Sequence, residues 1–427
     1  MVRNDGASFR KLYTAAVGTR FGDSARTSAV AVLGAQLTSS PAVLSLVSAM
    51  SFAPWLLFGL PAGALIDRVD KRRAFLLADG IRCAASALLV LLVFSGQLSI
   101  LVLIVFVFTL TTLQTISDSC FNSLVPAVVP AEDLGPANGR LSASQSTAGV
   151  FGPPAGSYLA SLGASFPFLL NVVTFGAAAA LVTSLPADID RKPGSRPAPA
   201  APGVGVLRSL GRDILDGVQG VRGKGLLSVL LACVTVSNLC NGLNSGVLPL
   251  LAIREVGVSP AHYGFVVAAN AACMVLGNVA AGLLLSHEFR HRTVAGAAIA
   301  LKLPGFALVC SAHSFAVLMA GMAVLGAASG LWNVPSSSLL MSSASKETIG
   351  RTMALFRTVA VAGMPLGAVL SGLLAGAAGL RAGALAAALL SGLTFVYFVH
   401  RSRRSPGAVD EPEQASLPGT AGKGVKP

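Results

Sequence analysis

The chain has 427 residues, of which 53% are hydrophobic and 11% charged, and its formal charge is +13. A soluble domain carries roughly 25% charged residues, so a water-soluble globular fold is excluded for most of the chain, and lipid is its expected solvent. Nucleic-acid binding needs Lys and Arg gathered on one face with aromatics between them. Here they fall in the connections between apolar runs, and nucleic acid is not an expected partner.

A bilayer-spanning helix needs ~20 apolar residues. In chain order, apolar runs between charged or Gly/Pro-rich breaks predict helices near 13–37, 41–66, 74–95, 98–124, 138–160 and 164–186. A second set follows near 226–252, 260–286, 293–312, 314–341, 352–377 and 380–400. The expected fold is an all-α integral membrane protein with 12 transmembrane helices in two pseudo-symmetric six-helix bundles, an N-terminal one over 1–186 and a C-terminal one over 225–400. Residues 187–224 form the expected cytoplasmic linker. It starts as "PADIDRKPGSRPAPAAPG", a composition that packs no core, and continues with Val206, Leu207, Leu210, Ile214, Leu215, Val218 and Val221 at helical spacing, the pattern of a helix lying on the membrane surface. Residues 401–427 are read as a disordered cytoplasmic tail. The N-terminus is basic but lacks a small-residue cleavage site, so its first apolar run is expected to stay as a helix. The six cysteines lie inside apolar segments with no metal-like pairing and read as packing residues.

Cations mark orientation, because cytoplasmic connections hold excess Lys and Arg. The connections after helices 2, 4, 6, 8 and 10 carry Arg68 to Arg73, Arg140, Arg191 to Lys224, Arg290 with Arg292, and Lys346 with Arg351. Only Arg254 and Arg381 fall on the other side, and both termini join the basic side. The expected location is the plasma (inner) membrane, multi-pass, with cytoplasmic termini. The two sets also repeat: "ISDSCFNSLVPAVVPAEDLGPANGRL" aligns with "LWNVPSSSLLMSSASKETIGRTMALF", setting Asp118 against Asn333, Glu132 against Glu347 and Gly135 against Gly350. A duplicated unit is a transporter signature, since two halves rocking about a midplane site give alternating access.

The connection "GALIDRVDKRR" packs six charges between two apolar runs. It resembles the loop signature between helices 2 and 3 of the major facilitator superfamily through Gly63, Asp67, Arg68, Lys71, Arg72 and Arg73, and departs from it at Asp70, where glycine is usual. With that departure it is more similar to the subgroup containing macrolide and enterobactin exporters. The resemblance implies that Asp67 faces the N-terminus of helix 11, that Lys71 pairs with Asp118, and that these contacts latch an outward-open state. A purely topological anchor is the other reading of the same charges. In helix 5, Gly152, Pro153 and Gly156 match the glycine-proline core of the antiporter motif of exporters in this superfamily, with Ala148 where glycine is expected. In the second half the equivalent loop is "GLLLSHEFRHR", with Ser286 in place of the Asp. Its His287–His291 stretch matches a zinc-protease pattern, which requires a stable helix and a third ligand; the alternative is a polar turn.

Charges inside a spanning helix mark functional positions by default. In "TRFGDSART" of helix 1, Arg20, Asp23 and Arg26 stand at i, i+3 and i+6, placing Asp23 beside both cations. Asp23 is about 18 Å along the helix from Lys11 at 1.5 Å per residue, near mid-membrane. Two roles fit: a proton-coupling acid governed by Arg20 and Arg26, or a permanent cluster that stiffens helix 1. Asp79 and Arg82 on helix 3 are expected to form a structural pair, and Lys302 to snorkel to the cytoplasmic surface. The family resemblance has helices 1, 4, 7 and 10 lining the cavity, which nominates Gln114, the stripe Asn238, Asn241 and Asn244, and Trp332 with Asn333. The same amides also suit hydrogen bonds between helices.

These features predict a secondary active exporter of small organic, drug-like or natural-product molecules, working by proton antiport with alternating access. A dedicated siderophore or metabolite exporter, a non-transporting membrane sensor or scaffold, and a membrane metalloprotease are the alternatives. The expected partners are a small-molecule substrate, protons or Na⁺, and lipid, with the protein a monomer. No cofactor, metal or catalytic residue is expected, and no phosphate-binding loop is present, so an ion gradient supplies the energy.

Overall fold

In the computed structural model, which describes residues 6–66, 69–185, 225–287, 289–343 and 349–403, the apolar runs become long helices. In chain order they are α1 (Gly6–Leu37), α2 (Pro41–Ile66), α3 (Lys71–Phe94), α4 (Ile100–Val128), α5 (Leu134–Leu162) and α6 (Phe166–Thr183), then α7 (Gly225–Ser245), α8 (Tyr263–Ser286), α9 (His291–Cys310), α10 (Phe315–Ser343), α11 (Ile349–Ala378) and α12 (Ala382–Arg403). The described residues include no strand. Asp67, Arg68, Glu288, Lys346, Glu347, the 187–224 linker with its expected surface helix, and the tail beyond 403 lie outside the described residues.

Ten helices among the described residues are long and apolar enough to cross a bilayer. The two long helices that miss this standard are α1, which carries Arg20, Asp23 and Arg26, and α5, rich in Gly and Ser. They pack against each other, so the least apolar helices shelter one another from lipid. The outer surface has the opposite character. Leu77, Leu91, Phe94, Leu101 and Leu393 are exposed, whereas Asp79 and Arg82 are 0% and 1% exposed, the inversion expected of a chain whose solvent is hydrocarbon.

Local chemistry sets several helix ends. The Asp70 carboxylate accepts from the Arg73 N–H at 2.8 Å and caps α3. The Ser99 hydroxyl accepts from the Val102 N–H at 3.3 Å and caps α4. Two expected boundaries are corrected. Helix α1 begins at Gly6 rather than near 13, because its first turns are amphipathic: Leu12 and Ala15 are buried while Arg10 is exposed, and an apolar-run criterion misses such a start. Helix α7 stops at Ser245 rather than near 252. Pro249 lacks an N–H, and the chain continues through a short turn, Leu248–Leu250, and a wide one, Leu251–Glu255.

Within α1–α6, α1 packs on α5, α6 and α4, and α3 on α4 and α6; within α7–α12, α8 and α9 pack on α10, and α11 and α12 on α7. Between the sets, α2 meets α11 and α5 meets α8. The apolar clusters locate that join. A cluster of Leu12, Phe75, Phe121, Leu124 and Val182 draws only on α1–α6, and one of Leu230, Ala295, Trp332, Leu339 and Phe398 only on α7–α12. Both sit toward the end of the molecule that bears the α2–α3 connection. At the opposite end, Val32 and Ala160 pack with Tyr263 and Phe306, and Leu44 and Leu103 with Leu250 and Leu380. The two sets are therefore joined at the α1–α2 end and, among the described residues, separate in their cores at the other.

Candidate functional site

The separation leaves three neighbouring cavities between and within the two helix sets. The first, about 470 Å³, is lined by Arg20, Asp23, Trp55, Gln114, Asp118 and Asn122. The second, about 580 Å³, is central and takes Asn238, Asn241, Asn244, Asn270 and Met274 from the second set. The third, about 560 Å³, is lined by Ser237, Lys302, Trp332, Ser337 and Phe356. Ser24, Thr27 and Gly149 border both the first and second cavities, and Asn238, Asn241, Ser329 and Asn333 both the second and third. Their shared lining residues join them into one path from α1 and α4 to α9 and α10, polar at the first cavity and mainly apolar, with amides and hydroxyls set in the wall, beyond it.

At the first cavity, Asp23 is engaged by two arginines. Arg82 Nη2 donates to both carboxylate oxygens at 2.5 Å, and Arg26 Nη2 to Oδ1 at 3.2 Å. Arg82 Nη1 also donates to Asp79 Oδ1 at 2.9 Å, an oxygen that accepts from Ser117 at the same distance. The Arg82 guanidinium lies 3.9 Å from the Phe175 ring centroid. Arg26 continues the chain to Gln114 Oε1 at 3.2 Å. Two carboxylates and two guanidiniums thus form a buried quartet of zero net charge, the arrangement that makes intramembrane ions tolerable.

This corrects two expectations. Arg20 does not pair with Asp23: it donates to the Leu141 carbonyl at 2.9 Å and the Ser144 hydroxyl at 3.3 Å, tying α1 to α5. Asp79 and Arg82 do form a pair, yet Arg82 is also the main partner of Asp23, a contact between residues 59 positions apart that no local spacing encodes. Asp118 shares the cavity and makes no hydrogen bond or ion pair among the described residues, so the contact expected with Lys71 is not made in this state.

Of the charged connection, Gly63 ends up in the last turn of α2, and Asp67 and Arg68 lie outside the described residues. Lys71 opens α3, and Arg72 donates to the Val182 and Thr183 carbonyls at 3.2 and 2.7 Å. Arg72 therefore caps the C-terminal end of α6 within the first helix set. The helix 5 motif is a packing surface. A Cβ on Gly152 would meet Ser24, and one on Gly156 the Ala25 backbone, while the Pro153 carbonyl accepts from the Ser28 hydroxyl at 2.7 Å. The far face of Pro153 and Pro154 meets Gly264 of α8.

The amide stripe on α7 does both things allowed for it. Asn238, Asn241 and Asn244 line the central cavity, and Asn238 also donates to the Ala360 carbonyl of α11 at 2.9 Å. Asn333 borders the cavity 3.5 Å from Asn278. Trp332 is buried and lines the third cavity. Lys302, expected at the cytoplasmic surface, is instead 4% exposed and donates to Ser237 Oγ; α9 packs with α10 and α12, and the side chain points inward to α7 and the third cavity, where a hydroxyl takes the place of surface water as its partner. His287 and His291 flank a turn rather than share a helix, and the described residues hold no group of three or more His, Cys, Asp or Glu placed to bind a metal.

Comparison with known proteins agrees with this architecture. The chain is 24% identical over 346 residues to macrolide efflux protein A of Streptococcus pyogenes, covering 79% of this chain and 82% of that protein. It is 25% identical over 393 residues to the multidrug efflux pump Tap of Mycobacterium tuberculosis (strain ATCC 25618 / H37Rv), covering 90% and 91%. The crystal structure of a bacterial homologue of the human lysosomal transporter Spinster, inward-facing and unoccupied, superposes with a TM-score of 0.68 at 13% identity, over 94% of this chain and 98% of that one. A POT family transporter in complex with 5-aminolevulinic acid gives 0.71 at 10% identity, over 93% and 96%. The model of the transmembrane secretion effector family matches residues 4–418. The chain belongs to that family, a family of multi-pass membrane transporters of the major facilitator type rather than of enzymes.

Proposed function

We propose that the protein exports amphipathic small organic molecules from the cytoplasm by proton antiport, with two six-helix bundles, 1–186 and 225–400, rocking about the shared cavity. The observation that carries this is the continuous path itself: it is bordered by both helix sets, sealed by their joint cores at the α1–α2 end, and has ionisable carboxylates at one of its walls. With the basic connections and both termini in the cytoplasm, the state described is inward-facing, ready to take a substrate from inside. The relatives named for macrolide and multidrug efflux support a substrate of drug or natural-product size, and amide groups on an apolar wall suit such a compound.

Asp23 and Asp118 are the proposed proton carriers. Asp23 is held by Arg26 and Arg82 in this state, so its protonation requires the arginines to move; Asp118 already faces the cavity. In the opposite state, Asp67, Arg68, Lys71 and Arg72 with Asp118 form the proposed latch. The test is accumulation of a macrolide in inside-out vesicles under imposed H⁺ or Na⁺ gradients. Wild type accumulates the drug under the H⁺ gradient, and Asp23→Asn and Asp118→Asn lose gradient-driven accumulation while still binding the drug. Full gradient-driven accumulation by both variants, or a response to Na⁺ alone, overturns the proton mechanism.

A further inference from the structure

Acidic residues are unevenly distributed between the two helix sets. Within the long helices, Asp23, Asp79 and Asp118 all belong to α1–α6, and α7–α12 contain no Asp or Glu. Yet α9 carries Lys302, 4% exposed and lining the third cavity. Its Nζ donates to Ser237 Oγ, and no ion pair reaches it among the described residues. Among the described residues, the acid nearest to it in sequence, Glu255, is engaged 2.9 Å from Arg381 at the closed end. An ammonium has three donors, and a cation taken out of water without a counter-charge is strongly disfavoured. The first set solves this problem internally, with its quartet. Among the described residues, the second set places no carboxylate against Lys302.

We infer that the third cavity is an anion subsite, in which Lys302, with Ser237 and Asn241 beside it, receives an acidic group of the transported compound while Trp332 and Phe356 supply an apolar wall for the ring or chain that carries it. The inference rests on the exporter reading above. It makes the path bipolar: a carboxylate wall at Asp118 for a cationic part of the substrate, and an ammonium wall at Lys302 for an anionic part. The preferred class is therefore zwitterionic or acidic amphiphiles. A small inorganic anion such as chloride has the same charge and is the other possible source of the counter-ion.

The test uses full-length protein in nanodiscs and two dyes that differ at one group: rhodamine 110, with a free carboxylate, and rhodamine 123, its methyl ester. Binding is read by fluorescence polarisation in sodium gluconate and again in sodium chloride. Wild type is expected to bind the acid about tenfold tighter than the ester, as for a charge-assisted hydrogen bond. Lys302→Gln should lose that preference by weakening only rhodamine 110, its unchanged ester binding reporting an intact fold, and Lys302→Arg should keep it. Binding of neither dye, absence of preference in wild type, or equal weakening of both dyes by Lys302→Gln overturns the subsite. A preference abolished by chloride in wild type assigns the site to the inorganic ion and overturns the substrate form. Failure of wild type to accumulate either dye in inside-out vesicles would defeat the exporter reading alone, leaving the dye selectivity standing.

Discussion

Arg82 decides what Asp23 is able to do. One guanidinium serves two carboxylates from different helices and stacks over Phe175, at 1% exposure. Removing one partner of a buried ionic group while leaving the others costs about 3–5 kcal/mol. Arg82→Met should therefore lower the melting temperature of the purified protein sharply, whereas Arg82→Met combined with Asp79→Asn should recover part of the loss, because one stranded charge is gone. Equal melting of the single and double variants would show that the carboxylates find other partners. The i, i+3 pairs of α1 and α3 were readable in the sequence, since helical spacing alone brings Asp23 to Arg26 and Asp79 to Arg82. The bond from Arg82 to Asp23 was not, because it depends on how α1 and α3 are placed, and the same helix placement turns Arg20 away toward α5.

Among the elements, α5 shows how a motif that looks like chemistry acts through shape. Its glycines let α1 approach until backbone meets backbone, and its two prolines present a face to Gly264 of α8. The helix thus links the first set's polar core to the contact between the sets. Small residues at such crossings substitute for the hydrophobic driving force that lipid removes. Gly156→Val should greatly reduce folded yield and abolish transport, because its side chain would occupy the space of the Ala25 backbone. Gly18→Ala on α1, where a Cβ meets open space, should leave both unchanged. Size-exclusion profiles of the detergent-solubilised variants give the comparison, and a monodisperse Gly156→Val at wild-type yield would contradict it. The extents of most helices followed from the apolar runs alone. The exceptions, the amphipathic start of α1 and the break after Ser245, arise where burial by neighbours or a missing proline N–H outweighs average hydropathy.

For the molecule as a whole, closure at the α1–α2 end is reinforced by Arg254, whose Nη2 donates to the Ala35 and Thr38 carbonyls at 3.0 and 3.1 Å, and by the Ser48 hydroxyl, which donates to the Gly246 carbonyl at 3.3 Å. Hydrogen bonds from a charged donor are worth about 1.5–3 kcal/mol each, so losing both Arg254 contacts should shift the balance of states by at least about tenfold. Arg254→Ala is expected to raise the labelling rate of a cysteine placed at Ser45, buried at this end, by a membrane-impermeant maleimide. An unchanged rate would mean that the apolar clusters hold the end shut unaided. Arg254 and Arg381 were the two cations that broke the charge asymmetry of the connections, and the structure gives each a task in holding that end together.

Composition, apolar run length and charge placement were enough to determine that this is a helical membrane protein and where most of its helices run, because a chain in hydrocarbon must satisfy its backbone within each segment. The internal repeat likewise pointed to a transporter, and the antiporter-like motif did so through its resemblance to exporters of the major facilitator superfamily. Tertiary structure alone decided which arginine holds Asp23, that Lys302 turns inward instead of to the surface, and which end of the cavity is closed. Each of these depends on contacts between helices far apart in the chain, and neither periodicity nor hydropathy carries information about which faces of two distant helices will meet.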